Sequence, residues 1–293
     1  MKNFIAIAET SRKELEALFA ETDKIRDKTV AARGLTAALL FNMPSTRTLV
    51  SFEAALEQLG IASAHLNYVF SQMIRGEEMQ DTARALSQYV CATIARLNDH
   101  RLMAVLAKDS EVPVINAATP EEHPCQALAD LYTLHRKKKL KGNMVIVGDP
   151  ANNVTNSLLA GASLFGMKIT LLVPRGYAPV EKYLARAKKN AEVTIAHEIA
   201  CVKEADVIYA TGWVRELPEQ ESPLHLKSFS AYQVDEAMLK QAPDDVAVMH
   251  PLPAFRGLEI SNEVLDGKNS IVWEQSKNRL YVQKALLKTL LSL

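Results

Sequence analysis

The stretch Met144-Val-Ile-Val-Gly148-Asp149 is followed by a short polar loop, a helix-like run from about Val154 to Phe165, Gly166, and Lys168-Ile-Thr-Leu-Leu-Val-Pro174. No other part of the chain constrains the fold as strongly. Two short β-type runs with a whole helix between them cannot close a hairpin, so they form a parallel βαβ unit. The rhythm recurs, with strand-like runs at 35–41, 61–68, 92–96, 112–116, 143–149, 168–174, 192–196, 206–211, 246–250 and 270–274 and helical patterns between many of them. Such alternation predicts an α/β chain of parallel sheets covered by helices. At 293 residues there is chain enough for two ordinary domains. The turn after Gly148 reads Pro-Ala-Asn-Asn and lacks the later glycines of a dinucleotide fingerprint, so no nicotinamide cofactor is expected.

Charge excludes some function classes. Lys plus Arg equals Asp plus Glu at 34 each, so no net field points to nucleic acid. The basic run Arg136-Lys-Lys-Lys139 ends a helical pattern, where cations complement the helix dipole. Three scattered cysteines, Cys91, Cys125 and Cys201, have no zinc-type spacing and suit a reducing cytoplasm. The apolar run at the amino terminus is too short for a signal peptide, and no stretch is long enough for a membrane span. A cytoplasmic protein without metal or membrane partner is the expectation.

Two segments carry chemistry. The apolar run Leu35–Phe41 stops at Asn42-Met-Pro44, and Ser45-Thr46-Arg47-Thr48 then opens a helix whose apolar face is Phe52, Ala55, Leu56 and Leu59. Hydroxyls and a guanidinium at a helix start suit a phosphate; Ser-Thr there also suits a simple cap. Further on, His123-Pro124-Cys125-Gln126 opens a second helix, with His and Gln placed to face one small polar ligand. Cys125 reads as a small helix filler, since no neighbouring base is implied.

Taken with Asp81-Thr-Ala-Arg84, Gly148-Asp149 before Asn152-Asn153, His250-Pro-Leu-Pro253, Arg256-Gly257 and Asn278-Arg279-Leu-Tyr-Val-Gln283-Lys284, these turns resemble the aspartate/ornithine carbamoyltransferase family. The match runs in order along nearly the whole chain and is nearest the ornithine branch. The resemblance implies two doubly wound α/β domains with the active site in the cleft between them. Residues 1–135 would bind carbamoyl phosphate and 136–275 the acceptor, while the helix 276–293 would return to the first domain. It implies transfer of a carbamoyl group from carbamoyl phosphate to a small amine or amino acid, without cofactor, in a homotrimer. Ser45, Thr46, Arg47 and Thr48 would hold the phosphate. Arg96 would bridge phosphate and carbonyl, and His123 would donate to the carbonyl oxygen with Arg96 and Thr48. Gln126 and the Leu252 carbonyl would hold the carbamoyl NH2, and Arg279 would complete the donor pocket. Gln72 or Arg75 would reach in from an adjacent subunit. Asn153 would hold the amino-acid end of the acceptor. Arg84 and Asp130 read as structural, Arg84 by pairing with Asp81 within its helix.

The acceptor side departs from the family pattern. Thr211 stands where the ornithine branch carries an aspartate two residues before a tryptophan, here Trp213. Arg215-Glu-Leu-Pro218 replaces its Ser-Met-Gly loop, and Leu49 replaces a second arginine. Pro251 follows His250 as in the aspartate branch, yet Gly212 stands where that branch places an arginine. A site that grips an ammonium through one carboxylate loses that ligand when the carboxylate goes. The expectation is therefore an acceptor other than ornithine, contacted by Asn153, Thr211, Arg215 and Pro251. Plain ornithine carbamoyltransfer is the alternative, and a non-catalytic binding paralogue the second.

Overall fold

In a computed structural model, which describes residues 1–67, 71–214 and 222–293, the chain divides into two compact units. Unit 1 is Met1–Ala129 with Asn278–Leu293, and unit 2 is Asp130–Lys277. Unit 1 holds strands β1 (Thr36–Phe41), β2 (Ala62–Asn67), β3 (Ala92–Arg96) and β4 (Val114–Ala118). Its helices are α1 (Arg12–Ile25), α2 (Arg47–Leu59), α3 (Met79–Ser87) and α4 (His100–Asp109), with the first turns of α5 (Pro124–Arg136). Unit 2 holds β5 (Asn143–Val147), β6 (Lys168–Leu172), β7 (Val193–Ala196), β8 (Val207–Ala210) and β9 (Ala247–Met249). Around them lie α6 (Asn153–Leu164), α7 (Glu181–Lys188), α8 (Pro223–Phe229), α9 (Glu236–Leu239), α10 (Asn262–Leu265) and the start of α11 (Val272–Leu290).

All strand pairs are parallel, in the orders β2-β1-β3-β4 and β7-β6-β5-β8-β9. In each sheet the chain winds outward from a central strand and then returns to build on its other side. The order reverses beside β1 in unit 1 and beside β5 in unit 2. Loops at the carboxyl ends of the strands flanking such a reversal splay apart and leave a crevice where ligands bind. Those loops begin at Asn42 and Leu97 in unit 1, and at Gly148 and Thr211 in unit 2.

Local sequence explains the frame. The four central residues of β1 are buried, as a strand covered on both faces requires. Phe52, Ala55, Leu56 and Leu59 of α2 are buried, and Gly60 ends the helix at φ 73°. A Cβ at Gly60 would lie 3.1 Å from the Val30 carbonyl oxygen, so the position needs glycine for both backbone angle and space. Lys284 of α11 is fully buried, and its ammonium donates to the carbonyls of Arg26 and Lys28, both at 2.9 Å, and to Gln58 Oε1 at 2.8 Å. Three acceptors for three protons offset the cost of burying the charge.

Two sequence expectations shift. The run at 112–116 becomes a strand only from Val114: Pro113 has no N–H for a ladder, and Val112 is held in a turn by Ser110 Oγ. Residues 270–274 are not a strand. A single bridge joins Ser270 to Val248, Ile271 donates to the Val248 carbonyl at 2.9 Å, and α11 begins at Val272. The apolar run Ile271-Val272-Trp273 satisfied the strand pattern, but its backbone donors from Gln275 onward are taken by the helix, starting at the Ile271 carbonyl. Among the described residues no helix is long and apolar enough to cross a membrane.

Candidate active site

In unit 1 the loops after β1 and β3 are tied together. Asn42 N–H donates to the Arg96 carbonyl at 3.1 Å. The Asn42 side chain also donates to Asn98 Oδ1 at 2.8 Å and accepts from Asn98 N–H at 2.9 Å. Beyond that tie, α2 starts at Arg47. Thr46 is helical in backbone and makes no side-chain cap bond, so the cap reading of Ser45-Thr46 does not apply to this turn as described. The helix's first N–H groups and its positive dipole end stay directed at the loop. The ladder between β3 and β4 slips at Ala95/Arg96, and such an irregularity re-aims the side chain beside it.

Arg47 and Arg96 are both partly buried, and among the described residues neither pairs with a carboxylate. Burial lowers the pKa of each, and the charge of Arg47 lowers that of Arg96 further. Arginine stays protonated in proteins. Two guanidinium groups that repel each other, one at the start of α2 and one at the end of β3, form a site whose electrostatic need is an anion.

His123, Gln126, Thr48 and Arg279 are buried in the same unit. Arg279 reaches from α11 to donate Nη2 to Thr48 Oγ1 at 2.7 Å and Nη1 to Gln126 Oε1. The second bond fixes the Gln126 amide with its oxygen toward the cation. Burial, then the charges of Arg279 and Arg96, hold the His123 pKa well below its ordinary value, so this imidazole is neutral at neutral pH. The structure thus brings Thr48, Gln126 and Arg279 into direct contact, with Arg96 and Arg279 close enough to act on His123. Burial pushes the Cys125 thiol up to about 12, and its Sγ contacts the Asn116 carbonyl at 3.3 Å, so it is no nucleophile. Gln72 and Arg75 are exposed on a single 3-10 turn anchored by buried Met73. No hydrogen bond or ion pair joins either to the arginine cluster among the described residues.

Unit 2 carries the expected acceptor residues. The cap of α6 is Asn152, whose Oδ1 accepts from Thr155 N–H at 2.8 Å, so Asn153, the first residue of the helix, is not its cap. The Asn152 amide donates to Thr211 Oγ1 at 2.6 Å and to the Gly212 carbonyl at 3.0 Å. A Cβ on Gly148, at φ 128°, would lie 2.5 Å from the Thr211 carbonyl oxygen, so glycine lets the loops after β5 and β8 touch. Pro251 and Leu252 are partly buried, and Leu252 sits at φ 54°. Arg215 lies outside the described residues.

Arg84 does more than pair within its helix: it reaches Asp109 at the end of α4 at 2.7 Å, with Asp81 at 3.8 Å. Asp130 accepts from Tyr209 Oη and Gln275 Nε2, each at 2.7 Å, and Gln275 Oε1 accepts from His250 N–H at 3.1 Å. Sequence reading named Asp130 but missed Gln275, Tyr209 and Glu259. Glu259 accepts from the N–H groups of Trp213, Val214 and Phe255 and faces His250. Nothing in the irregular run Arg256-Gly-Leu-Glu259-Ile marks that carboxylate as buried.

Paired parallel-sheet units with an anion-seeking helix start in the first are the build of a group-transferring α/β enzyme. Family models match both parts. The carbamoyl-P binding domain of aspartate/ornithine carbamoyltransferase matches residues 2–136, and the Asp/Orn binding domain of that family matches residues 141–290. An ornithine carbamoyltransferase of Archaeoglobus fulgidus is 40% identical over 99% of this chain and 98% of its own length. One from Pyrococcus abyssi is 43% identical over 88% of this chain and 84% of its own. The solved ornithine carbamoyltransferase of Pyrococcus furiosus superposes with TM-score 0.94 at 38% identity, covering 99% of this chain and 97% of that one. The chain belongs to the aspartate/ornithine carbamoyltransferase family and is a carbamoyl-transferring enzyme.

Proposed function

We propose that this enzyme takes its carbamoyl group from carbamoyl phosphate and passes it to the amino group of ornithine. The observation that carries the donor half is the uncompensated pair Arg47 and Arg96 beside neutral His123. Ser45, Thr46, Arg47 and Thr48 hold the phosphate at the start of α2. Arg96 spans phosphate and carbonyl. His123, being neutral, donates one N–H to the carbonyl oxygen without adding a further full charge to those of Arg47, Arg96 and Arg279. Gln126 Oε1, oriented by Arg279, accepts from the carbamoyl NH2 together with the Leu252 carbonyl. The neutral amine attacks the carbonyl carbon, and the C=O becomes an oxyanion held by Arg96, His123 and Thr48. The oxyanion re-forms the carbonyl as the C–O bond to phosphate breaks, and the amine proton leaves on the phosphate. No separate protein base is needed.

The names of the relatives favour ornithine as acceptor over the divergent acceptor expected from the rewritten segment. Asn153 holds its amino-acid end, with Pro251 as a further contact. A second reading, an acceptor with a different amine end, is favoured by Thr211: it carries no charge, and its hydroxyl already accepts from Asn152. We further propose a homotrimer in which exposed Gln72 or Arg75 completes a neighbour's phosphate pocket. The test of the acceptor is product mass after incubation with carbamoyl phosphate and ornithine, lysine, diaminobutyrate, putrescine, aspartate or an N-acylated ornithine. Carbamoylated ornithine as the main product supports the first reading. Preference for another amine supports the second.

A further inference from the structure

Glu259 is fully enclosed, and its carboxylate joins two loops of unit 2 proposed to face substrate. Oε1 accepts from Trp213 N–H at 2.9 Å and Val214 N–H at 3.1 Å, both in the loop after β8 that follows Thr211. Oε2 accepts from Phe255 N–H at 3.0 Å and lies 3.2 Å from His250 Nε2. His250 Nδ1 in turn accepts from Leu252 N–H at 2.9 Å, so its proton sits on Nε2 and is donated to Glu259. Leu252, the residue whose carbonyl is assigned to the carbamoyl NH2, is held at φ 54°, in a region that side chains rarely adopt. A strained backbone persists only where its surroundings fix it, and the His250–Glu259 pair supplies that fixture.

The backbone of Glu259 is itself tied on both sides. Its carbonyl accepts from Val234 N–H at 3.0 Å, its N–H donates to the Phe255 carbonyl at 3.0 Å, and the neighbouring Ile260 is fully buried in the core of unit 2. On the opposite side of His250, Gln275 and Asp130 hold its backbone. All four groups facing the carboxylate are donors. Only an acceptor-only group with two equivalent oxygens satisfies them together.

We propose that Glu259 is a positioning residue: one buried carboxylate sets the acceptor loop at 211–214 and the carbamoyl-contacting loop at 250–255 in register with each other. It touches no substrate. Its effect on turnover rests on the functional reading above, because that reading assigns the two loops to acceptor and carbamoyl group. The tie itself is a matter of hydrogen bonds within unit 2.

The discriminating variant is Glu259→Gln in the full chain. It keeps the shape, but its NH2 must face one pair of donors, so both loops cannot be held at once. Amide hydrogen exchange should show peptides covering 211–214 and 250–256 exchanging faster together, while β5 and β8 stay protected. The affinity for inorganic phosphate, held by unit 1, should stay as in wild type, while kcat/KM for the acceptor falls about 10²-fold, the scale for an ångström of misplacement. If only one loop loosens, if neither does, or if phosphate affinity falls in step with turnover, the proposal is overturned. Should the glutamine variant fail to fold, Glu259→Asp decides, being all-acceptor but one methylene shorter. Faster exchange in both loops and a loss of about 10-fold in kcat/KM support the tie, a smaller misplacement on the same scale. Wild-type exchange and turnover in that variant overturn it. A wild-type protein that carbamoylates none of the amines refutes the functional reading alone, and the exchange data still decide on Glu259.

Discussion

The loops after β1 and β3 in unit 1 and those after β5 and β8 in unit 2 stand at equivalent places, the carboxyl ends of strands where the sheet order reverses. Their electrostatics are opposite. In unit 1, Arg47 and Arg96 carry charge that no described carboxylate neutralises, and their burial makes that costly without a ligand. In unit 2 the charged and capping groups are met within the fold: Asn152 holds Thr211, and Glu259 collects four donors. On the proposed function the first region binds by unmet charge, which needs particular side chains in a particular short order. The second works by the placement of backbone, which many sequences can achieve.

The sharpest way to break this contrast is to remove the charge. Arg47→Ala should lower kcat/KM for carbamoyl phosphate by about 10³-fold, mostly through KM, since the lost contact exists in ground and transition states alike. His123→Ala should instead lower kcat by about 10²-fold with little change in donor KM, because its donor strengthens as the oxyanion forms. Equal losses in KM for both variants would erase the division of labour. Mixing Arg47→Ala protein with a Gln72→Ala/Arg75→Ala protein under subunit exchange should restore about a quarter of the sites, as random assortment around a closed ring requires. Hybrids that exchange subunits and stay inactive would remove the shared pocket.

Unit 2 responds to subtler changes. Thr211→Asp should alter kcat/KM for ornithine by no more than about 10-fold, since the new carboxylate would share the Asn152 donor that now serves the hydroxyl. A rise of about 10²-fold or more would show that the native site lacks an ammonium ligand and would favour the second reading. The smallest effect concerns pH. His123 is held neutral in the fold, so the unfolded chain binds more protons below its ordinary pKa. Its contribution to stability is present above pH ~6.5 and lost as pH falls, with a slope of at most ~1.4 kcal/mol per pH unit. Urea unfolding of wild type and His123→Gln between pH 5 and 7, from ~1.5 units below that value to ~0.5 above it, should show the slope in the first and a flatter profile in the second.

The same contrast decides what could be read without coordinates. Among the described residues, central strands such as β1, β3, β5 and β8 announced themselves because buried parallel strands are short apolar runs between helices. Ser45-Thr-Arg-Thr48 and His123-Pro-x-Gln126 were legible as helix starts because a proline turn or a first-turn proline precedes an apolar helical face, and the structure opens α2 and α5 there. The run at 270–274 misled because Ile271 and Val272 satisfy a strand pattern while the fold needs a helix there. Glu259 and Gln275 stayed hidden because their partners are backbone amides and residues distant in sequence, which leave no periodic trace. Departures from a motif, such as Thr211, were visible at once, but what replaces the missing carboxylate is a matter of loop geometry.

The most direct measurement is the steady-state kcat/KM for ornithine with carbamoyl phosphate saturating, followed as release of inorganic phosphate. The proposed function predicts ornithine-dependent release with kcat/KM of about 10⁴ M⁻¹s⁻¹ or above, the ordinary range for an enzyme on its own substrate. Phosphate release that ornithine does not accelerate, while another amine in the panel does, would contradict it.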